Sequence, residues 1–225
     1  MSFFSDPDAV ANYAERPVKQ VPGFQALQTM ATLLLAERAP TDARVLVLGA
    51  GGGLELKVFA QARPDWRFVG VDPSAPMLAL ARQTLGALET RVDLHEGYID
   101  DAPDGPFDGA TCLLTLHFLT VEQRLHTLKQ LLLRLKPGAP LVVAHHSFPQ
   151  TRAEKNRWLR RYAAFAVASG IRPADAEQAI TAMDSRLALL SPEQDEALLS
   201  QAGFSDVELF YAAFTFKGWV ACRPG

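Results

Sequence analysis

Arg44-Val-Leu-Val-Leu48 runs directly into Gly49-Ala-Gly-Gly-Gly53, and Arg67-Phe-Val-Gly-Val71 ends on Asp72-Pro73. After Arg44 the first run alternates valine and leucine, apolar at each position, as a strand buried on both faces must be. The glycines let the backbone turn sharply and approach a ligand closely. A helical pattern from about Leu54 to Ala62 follows, so the loop opens onto free amides and the positive end of a helix dipole. Asp72 closes the second strand about twenty residues further on, where a carboxylate accepts hydrogen bonds from ribose hydroxyls. Strand, glycine loop, helix, strand and acid, in that order, predict a nucleoside-containing ligand at the carboxyl end of a parallel sheet. The spacing is G-x-G-x-G. The dinucleotide pattern G-x-G-x-x-G needs glycine where Leu54 stands, and no Gly-Lys-Ser/Thr follows to cradle phosphates.

The same alternation continues outward. Ser74 is placed to cap a helix that carries Pro76 in its first turn. Val92 to His95 and Asp108 to Leu116 read as strands three and four. Val121 to Leu135 reads as an amphipathic helix ended by Lys136-Pro137-Gly138, and Pro140 to Ala144 as strand five. Strands separated by helices of this length predict βαβ units. Near the C-terminus, Val207 to Tyr211 and Phe214 to Cys222 are too close together for anything but an antiparallel pair. The expectation is an α/β Rossmann-like fold: seven strands, mostly parallel, with an antiparallel C-terminal hairpin and a helical cap. Its parts are an entry segment at 1–40, a ligand-binding core at 41–147, a helical cap at 148–203 and the hairpin at 204–225.

Composition sets the outer limits. The 225 residues are 48% hydrophobic, enough for one sizeable core. Twenty-two basic against 25 acidic residues give a net charge of −3, which disfavours a nucleic-acid-binding role. Two cysteines, Cys112 and Cys222, make neither a disulfide framework nor a zinc pattern, and no metal site is expected. The N-terminus lacks a basic, apolar leader, and the most apolar run, near Cys112 to Val121, is too short to span a membrane. A cytoplasmic protein without membrane attachment is the expectation.

Val45-Leu-Val-Leu-Gly-Ala-Gly-Gly-Gly53, Gly70-Val-Asp-Pro-Ser-Ala-Pro-Met-Leu78 and Leu133-Leu-Arg-Leu-Lys-Pro-Gly-Ala-Pro-Leu-Val-Val143 resemble the motifs of class I S-adenosyl-L-methionine (SAM) dependent methyltransferases. A resemblance covering nearly the whole chain is to the carboxy-SAM synthases of wobble-uridine modification. It rests on Val21-Pro-Gly-Phe24, Leu114-Thr-Leu-His-Phe-Leu119, Gln201-Ala-Gly-Phe204 and Phe214-Thr-Phe-Lys-Gly-Trp-Val-Ala221. The superfamily likeness implies SAM as cofactor and S-adenosylhomocysteine as product. It implies Gly49, Gly51 and Gly53 along the methionine part, Asp72 at the ribose, and Pro73, Tyr98 and Ile99 around the adenine.

Several positions depart from these families. Alignment on Gln201-Ala-Gly-Phe204 places Leu198 where the synthases carry the arginine that pairs the added carboxylate. Phe24 and Leu113 replace their tyrosine and asparagine. The acid that most methyltransferases carry two residues before the first glycine is Val47, and the one after the strand-three glycine is Tyr98, leaving Asp100 or Asp101 for the adenine amine. Without that arginine an added carboxylate has no pairing cation, so the expectation is methyl transfer onto a small-molecule acceptor, whereas the missing acids at Val47 and Tyr98 favour a degenerate SAM-binding protein. The alternatives are a carboxy-SAM synthase-like enzyme and a degenerate SAM-binding interaction protein; a NAD-linked oxidoreductase is opposed by Leu54.

On the acceptor side, His117 follows strand four and is the candidate general base, because a neutral imidazole takes a proton near pH 7. Strand alternation sends His145 and His146 to opposite faces. His95 and His126 have no supporting context. Arg152 to Arg161 forms a basic run that reads as a solvated helix face. Interleaved Trp158, Tyr162 and Phe165 fit a cap over the site or the surface of a homodimer.

Overall fold

A computed structural model describes residues 15–225; residues 1–14 of the expected entry segment lie outside the described part. Two helices, α1 (Arg16–Gln20) and α2 (Phe24–Ala36), precede the sheet. The core then follows the predicted alternation: β1 (Arg44–Leu48), α3 (Leu54–Ala62), β2 (Arg67–Asp72), α4 (Ala75–Leu85), β3 (Val92–Glu96), β4 (Gly109–Leu113), α5 (Val121–Arg134) and β5 (Pro140–His146). Three helices, α6 (Arg152–Ala168), α7 (Pro173–Arg186) and α8 (Pro192–Ala202), lead to β6 (Ser205–Ala213) and β7 (Phe216–Cys222). The seven strands lie in the order β3-β2-β1-β4-β5-β7-β6. β1 to β5 are parallel, and β7 runs antiparallel between β5 and β6.

The order reverses at β1, with β2 on one side and β4 on the other. Ligands of open parallel sheets bind in the crevice at such a reversal. Side-chain alternation along β1 divides the interior into two cores. Val45 and Val47 join Leu27, Ala31 and Leu35 of α2 and Leu56 and Phe59 of α3. Leu46 and Leu48 face the opposite way, toward Leu128 and Leu131 of α5 and Leu198 and Leu199 of α8.

Helix starts carry their own caps. Ser74 Oγ accepts from Met77 N–H, and Thr120–Gln123 and Ser191–Gln194 form reciprocal capping boxes on α5 and α8. The region expected as one cap is divided. α6 and α7 pack on each other, whereas α8 packs beside α5 and on the sheet. Its inward residues Asp195, Leu198, Leu199 and Ala202 recur at helical spacing, which buries that stripe in the core instead of over the site.

Candidate active site

The glycine loop is built around a close approach to the exit of β4. Gly49 has φ +79°, and a Cβ there would stand 2.0 Å from Thr115 Oγ1. Thr115 is fixed in turn by donating to Leu113 C=O at 3.0 Å. The residue between them, Leu114, is held at φ 58°, a left-handed conformation that costs a non-glycine residue about 1–3 kcal/mol. That strained turn ends β4, lays Thr115 over the loop and starts the short 3-10 turn Leu116–Phe118 carrying His117.

Asp72 ends β2 beside the loop. Its Oδ2 accepts from Gly51 N–H and its Oδ1 from Ser74 N–H, each at 2.9 Å. Burial pushes its pKa up, and the two amides oppose that shift. Each oxygen keeps a lone pair for a further donor. Pro73 next to it is exposed.

After β3, Tyr98 is 63% exposed, while the Ile99 side chain is 4% exposed and belongs to the α5-side core. Ile99 therefore offers backbone, not side chain, to a ligand at this edge. Asp101 is engaged in its own turn, accepting from Tyr98 N–H at 2.9 Å. Asp100 meets His126 Nε2 of α5 at 2.8 Å. His126 thus has the partner that its sequence context did not reveal.

At the other side of the reversal, His117 and His146 come together with ring centroids 4.8 Å apart. His146 N–H points to His117 Nδ1 at 3.4 Å. His146 stacks on Phe216, meets the edge of Tyr162 from α6, and its Nδ1 lies 3.0 Å from Thr215 Oγ1. Burial, reinforced by His146, His145 and Arg124, holds the His117 pKa well below the usual histidine range. Burial, with His145, takes His146 down to about 3. Both imidazoles are neutral at pH 7.

His145 faces away, as alternation requires. Its Nε2 lies 3.1 Å from Asp195 Oδ1 without hydrogen-bond alignment. Asp195 is also paired with Arg124 at 2.5 Å. Burial raises the Asp195 pKa, but His145 and Arg124 outweigh it and hold the carboxyl below its usual range. Leu198 sits in this same α8 layer among core residues, so it is not a position that faces a ligand.

The basic run lies on α6. A groove of about 560 Å³ there is lined by Asn156, Arg157, Arg160, Arg161 and two alanines, and holds none of the site residues. Among the described residues no helix is long and apolar enough to cross a membrane.

Residues 46–141 match the family described as Methyltransferase domain. Over 227 aligned residues the chain is 30% identical to the carboxy-S-adenosyl-L-methionine synthase of Chromohalobacter salexigens, covering 99% of this chain and 84% of that one. It is 29% identical to the synthase of Actinobacillus succinogenes, with 98% and 93% covered. Among solved structures, human N-acetylserotonin methyltransferase in complex with SAM shares the fold, with a TM-score of 0.61 and 19% identity. That match covers 89% of this chain but only 55% of the human one. The [4+2]-cyclase SpnF also shares it, with a TM-score of 0.62, 19% identity, and 87% and 80% covered. The reversal at β1, the glycine loop with its β2 acid, and likeness over 99% of the chain converge: this chain belongs to the class I SAM-dependent methyltransferase superfamily and, within it, to the family of the carboxy-SAM synthases.

Proposed function

We propose that the chain binds SAM across the β1 reversal and transfers its methyl group to a small-molecule acceptor held between the exits of β4 and β5 and the Tyr162 face of α6. In this reading Asp72 takes the ribose, and Gly49, Gly51 and Gly53 pass along the methionine part. Pro73, the Tyr98 ring and the Ile99 backbone border the adenine. The observation that carries the reading is the Asp72 carboxylate, fixed by Gly51 and Ser74 amides with lone pairs to spare. SAM supplies a methyl group already activated on a sulfonium, so the chain needs chiefly to orient the acceptor in line and exclude water. Asp72→Ala weakens SAM binding by about 10- to 100-fold, the loss of a charged acceptor worth about 1.5–3 kcal/mol. Calorimetric titration measures it, and an unchanged dissociation constant in a folded variant removes Asp72 from the site.

The walls at the β4 and β5 exits favour an uncharged methyl over an added carboxylate. His117, His146, Thr215 and Tyr162 are neutral there, and an unpaired buried carboxylate costs several kcal/mol. Leucine at 198 does not bear on this choice, because that side chain lies in the core. A second reading, carboxy-SAM synthesis, is favoured by the two synthases that match nearly the whole chain and by Arg16, whose charge reaches Tyr162. The two readings separate by thermal shift, which reports preferential binding to the native state. SAM raises the midpoint at least as much as carboxy-SAM does at equal concentration; a clearly larger shift with carboxy-SAM selects the synthase reading.

His117 is the acceptor-side residue of this proposal. The tautomer that receives the His146 amide at Nδ1 carries its proton on Nε2, so it donates to the acceptor. A general base at Nε2 requires the opposite tautomer. His117→Ala therefore lowers turnover by about 10- to 100-fold, the scale of one lost hydrogen bond. Loss of a general base would reach about 10²–10⁴. Release of S-adenosylhomocysteine from a screened acceptor gives the rate. SAM affinity stays as in the wild type.

A further inference from the structure

Glu55 is a buried carboxyl that the site described so far leaves unused. It is the second residue of α3, directly after the loop-closing Gly53, and only 8% of its surface is exposed. An acid in a first helical turn ordinarily sits in solvent, where the helix dipole favours it. Glu55 instead turns inward, and Thr111 Oγ1 of β4 donates to its Oε1 at 2.8 Å. Thr111 is the register partner of Val47 on β1. Parallel partners project to the same face, so Thr111 holds the Glu55 carboxyl beside the strand position that carries valine.

The charge balance of this place asks for a cation. Its hydrogen-bond donor is a neutral hydroxyl, and the β4 residue whose titration it disturbs, Cys112, is a thiol kept neutral by burial. Burial raises the Glu55 carboxyl to about 8, so at pH 7, without a cationic partner, it is mostly protonated. A carboxyl so placed gives up its proton when a positive group arrives within hydrogen-bond reach. The glycine loop itself offers only amides and the positive end of α3, which suit the carboxylate of an amino acid and repel its ammonium.

We infer that Glu55 is the anion that receives the α-ammonium of the methionine end of SAM, reaching from α3 into the place left by Val47. The inference rests on the SAM site proposed above. Glu55 is a binding residue in this assignment and takes no part in the methyl transfer itself.

Glu55→Gln tests it, because glutamine keeps an acceptor for Thr111 and loses the charge. Two ligands are titrated at pH 7 in buffers of different ionisation heat: SAM, and 5′-methylthioadenosine, which has the nucleoside but no amino-acid end. The expected result has three parts. Wild type releases most of a proton on binding SAM and none on binding methylthioadenosine. Glu55→Gln binds SAM about tenfold more weakly and releases no proton. Both forms bind methylthioadenosine equally. Equal SAM affinity and equal proton release in the two forms overturn the inference. So does a variant that weakens both ligands alike, since that marks a packing role. If Glu55→Gln does not fold, the wild-type proton counts decide: no difference between SAM and methylthioadenosine overturns it. Failure of wild type to bind either ligand removes the SAM site and this inference together, whereas binding of both with no ammonium effect removes only the inference.

Discussion

Asp195→Ala lowers the unfolding free energy by about 3–5 kcal/mol, the cost of leaving one member of a buried ion pair without the other. The Arg124 and Asp195 side chains are 1% and 2% exposed, and Nη1 meets Oδ1 at 2.5 Å. Arg124 also donates through Nη2 to Ala188 C=O at 2.7 Å, so one guanidinium fastens α5 both to the first turn of α8 and to the chain that leads into it. Alanine at 195 leaves that buried guanidinium without its carboxylate. At about 2–4 °C per kcal/mol for a domain of this size, the midpoint falls by roughly 6–20 °C. Urea denaturation with an unchanged m-value measures the loss. Arg124→Met with Asp195→Leu removes both charges and recovers most of it, because two apolar groups of similar shape need no partner. A single Asp195→Ala loss under 1 kcal/mol would show that the pair does not hold the two helices.

Sequence reading reached furthest where the signal is local. The strand from Arg44 to Leu48 is apolar from Val45 on because both its faces are buried there, and the glycines after it mark the turn at φ +79°. The hairpin followed from connection length alone. Alternation separated His145 from His146, and the structure sends one to Asp195 and the other to His117. What the sequence hid is long-range. Arg124 and Asp195 are 71 residues apart, and each alone resembles an ordinary helix-surface charge. Glu55 likewise looks like a dipole-stabilising first-turn acid until Thr111 is seen against it. Asp100 and Asp101, the candidates for an adenine amine, each carry a local partner that the sequence did not show, His126 and the Tyr98 amide. Leu198, aligned with the synthases' arginine through the end of α8, is a core leucine in this chain. The apolar stripe of Asp195, Leu198, Leu199 and Ala202 was visible in the sequence, and it points into the core.

His146, His117 and Glu55 together give the ligand-free protein a contribution to stability that is largest near pH 6.5 and falls on both sides, each limb set by one kind of buried group. On the acid side, His146 titrates at about 3 when folded and at about 6.5 when unfolded. Below 6.5 the unfolded chain takes up a proton that the folded chain refuses, so stability falls by about 1.4 kcal/mol per pH unit for this residue. His117 is displaced in the same direction by burial. Glu55 has the opposite sign: its folded pKa of about 8 lies above the ordinary 4.5, so the folded chain keeps a proton that the unfolded chain has lost. Its contribution is complete below 4.5 and disappears as pH rises to 8. Between 4.5 and 6.5, His146 and Glu55 nearly cancel, and His117 makes the balance fall with acid. Below 4.5 Glu55 no longer compensates, and the limb steepens. From 6.5 to 8 Glu55 acts alone among the three and removes about 2 kcal/mol. Urea midpoints from pH 4 to pH 9 trace the curve. Glu55→Gln flattens the alkaline limb and leaves the acid limb in place; His146→Phe, which keeps a ring against Phe216 and Tyr162, makes the acid limb shallower and leaves the alkaline limb in place. A wild-type curve that is level from 6.5 to 8, or a Glu55→Gln variant with the wild-type alkaline slope, would mean that Glu55 is already ionised in the folded chain and that its carboxylate is solvated.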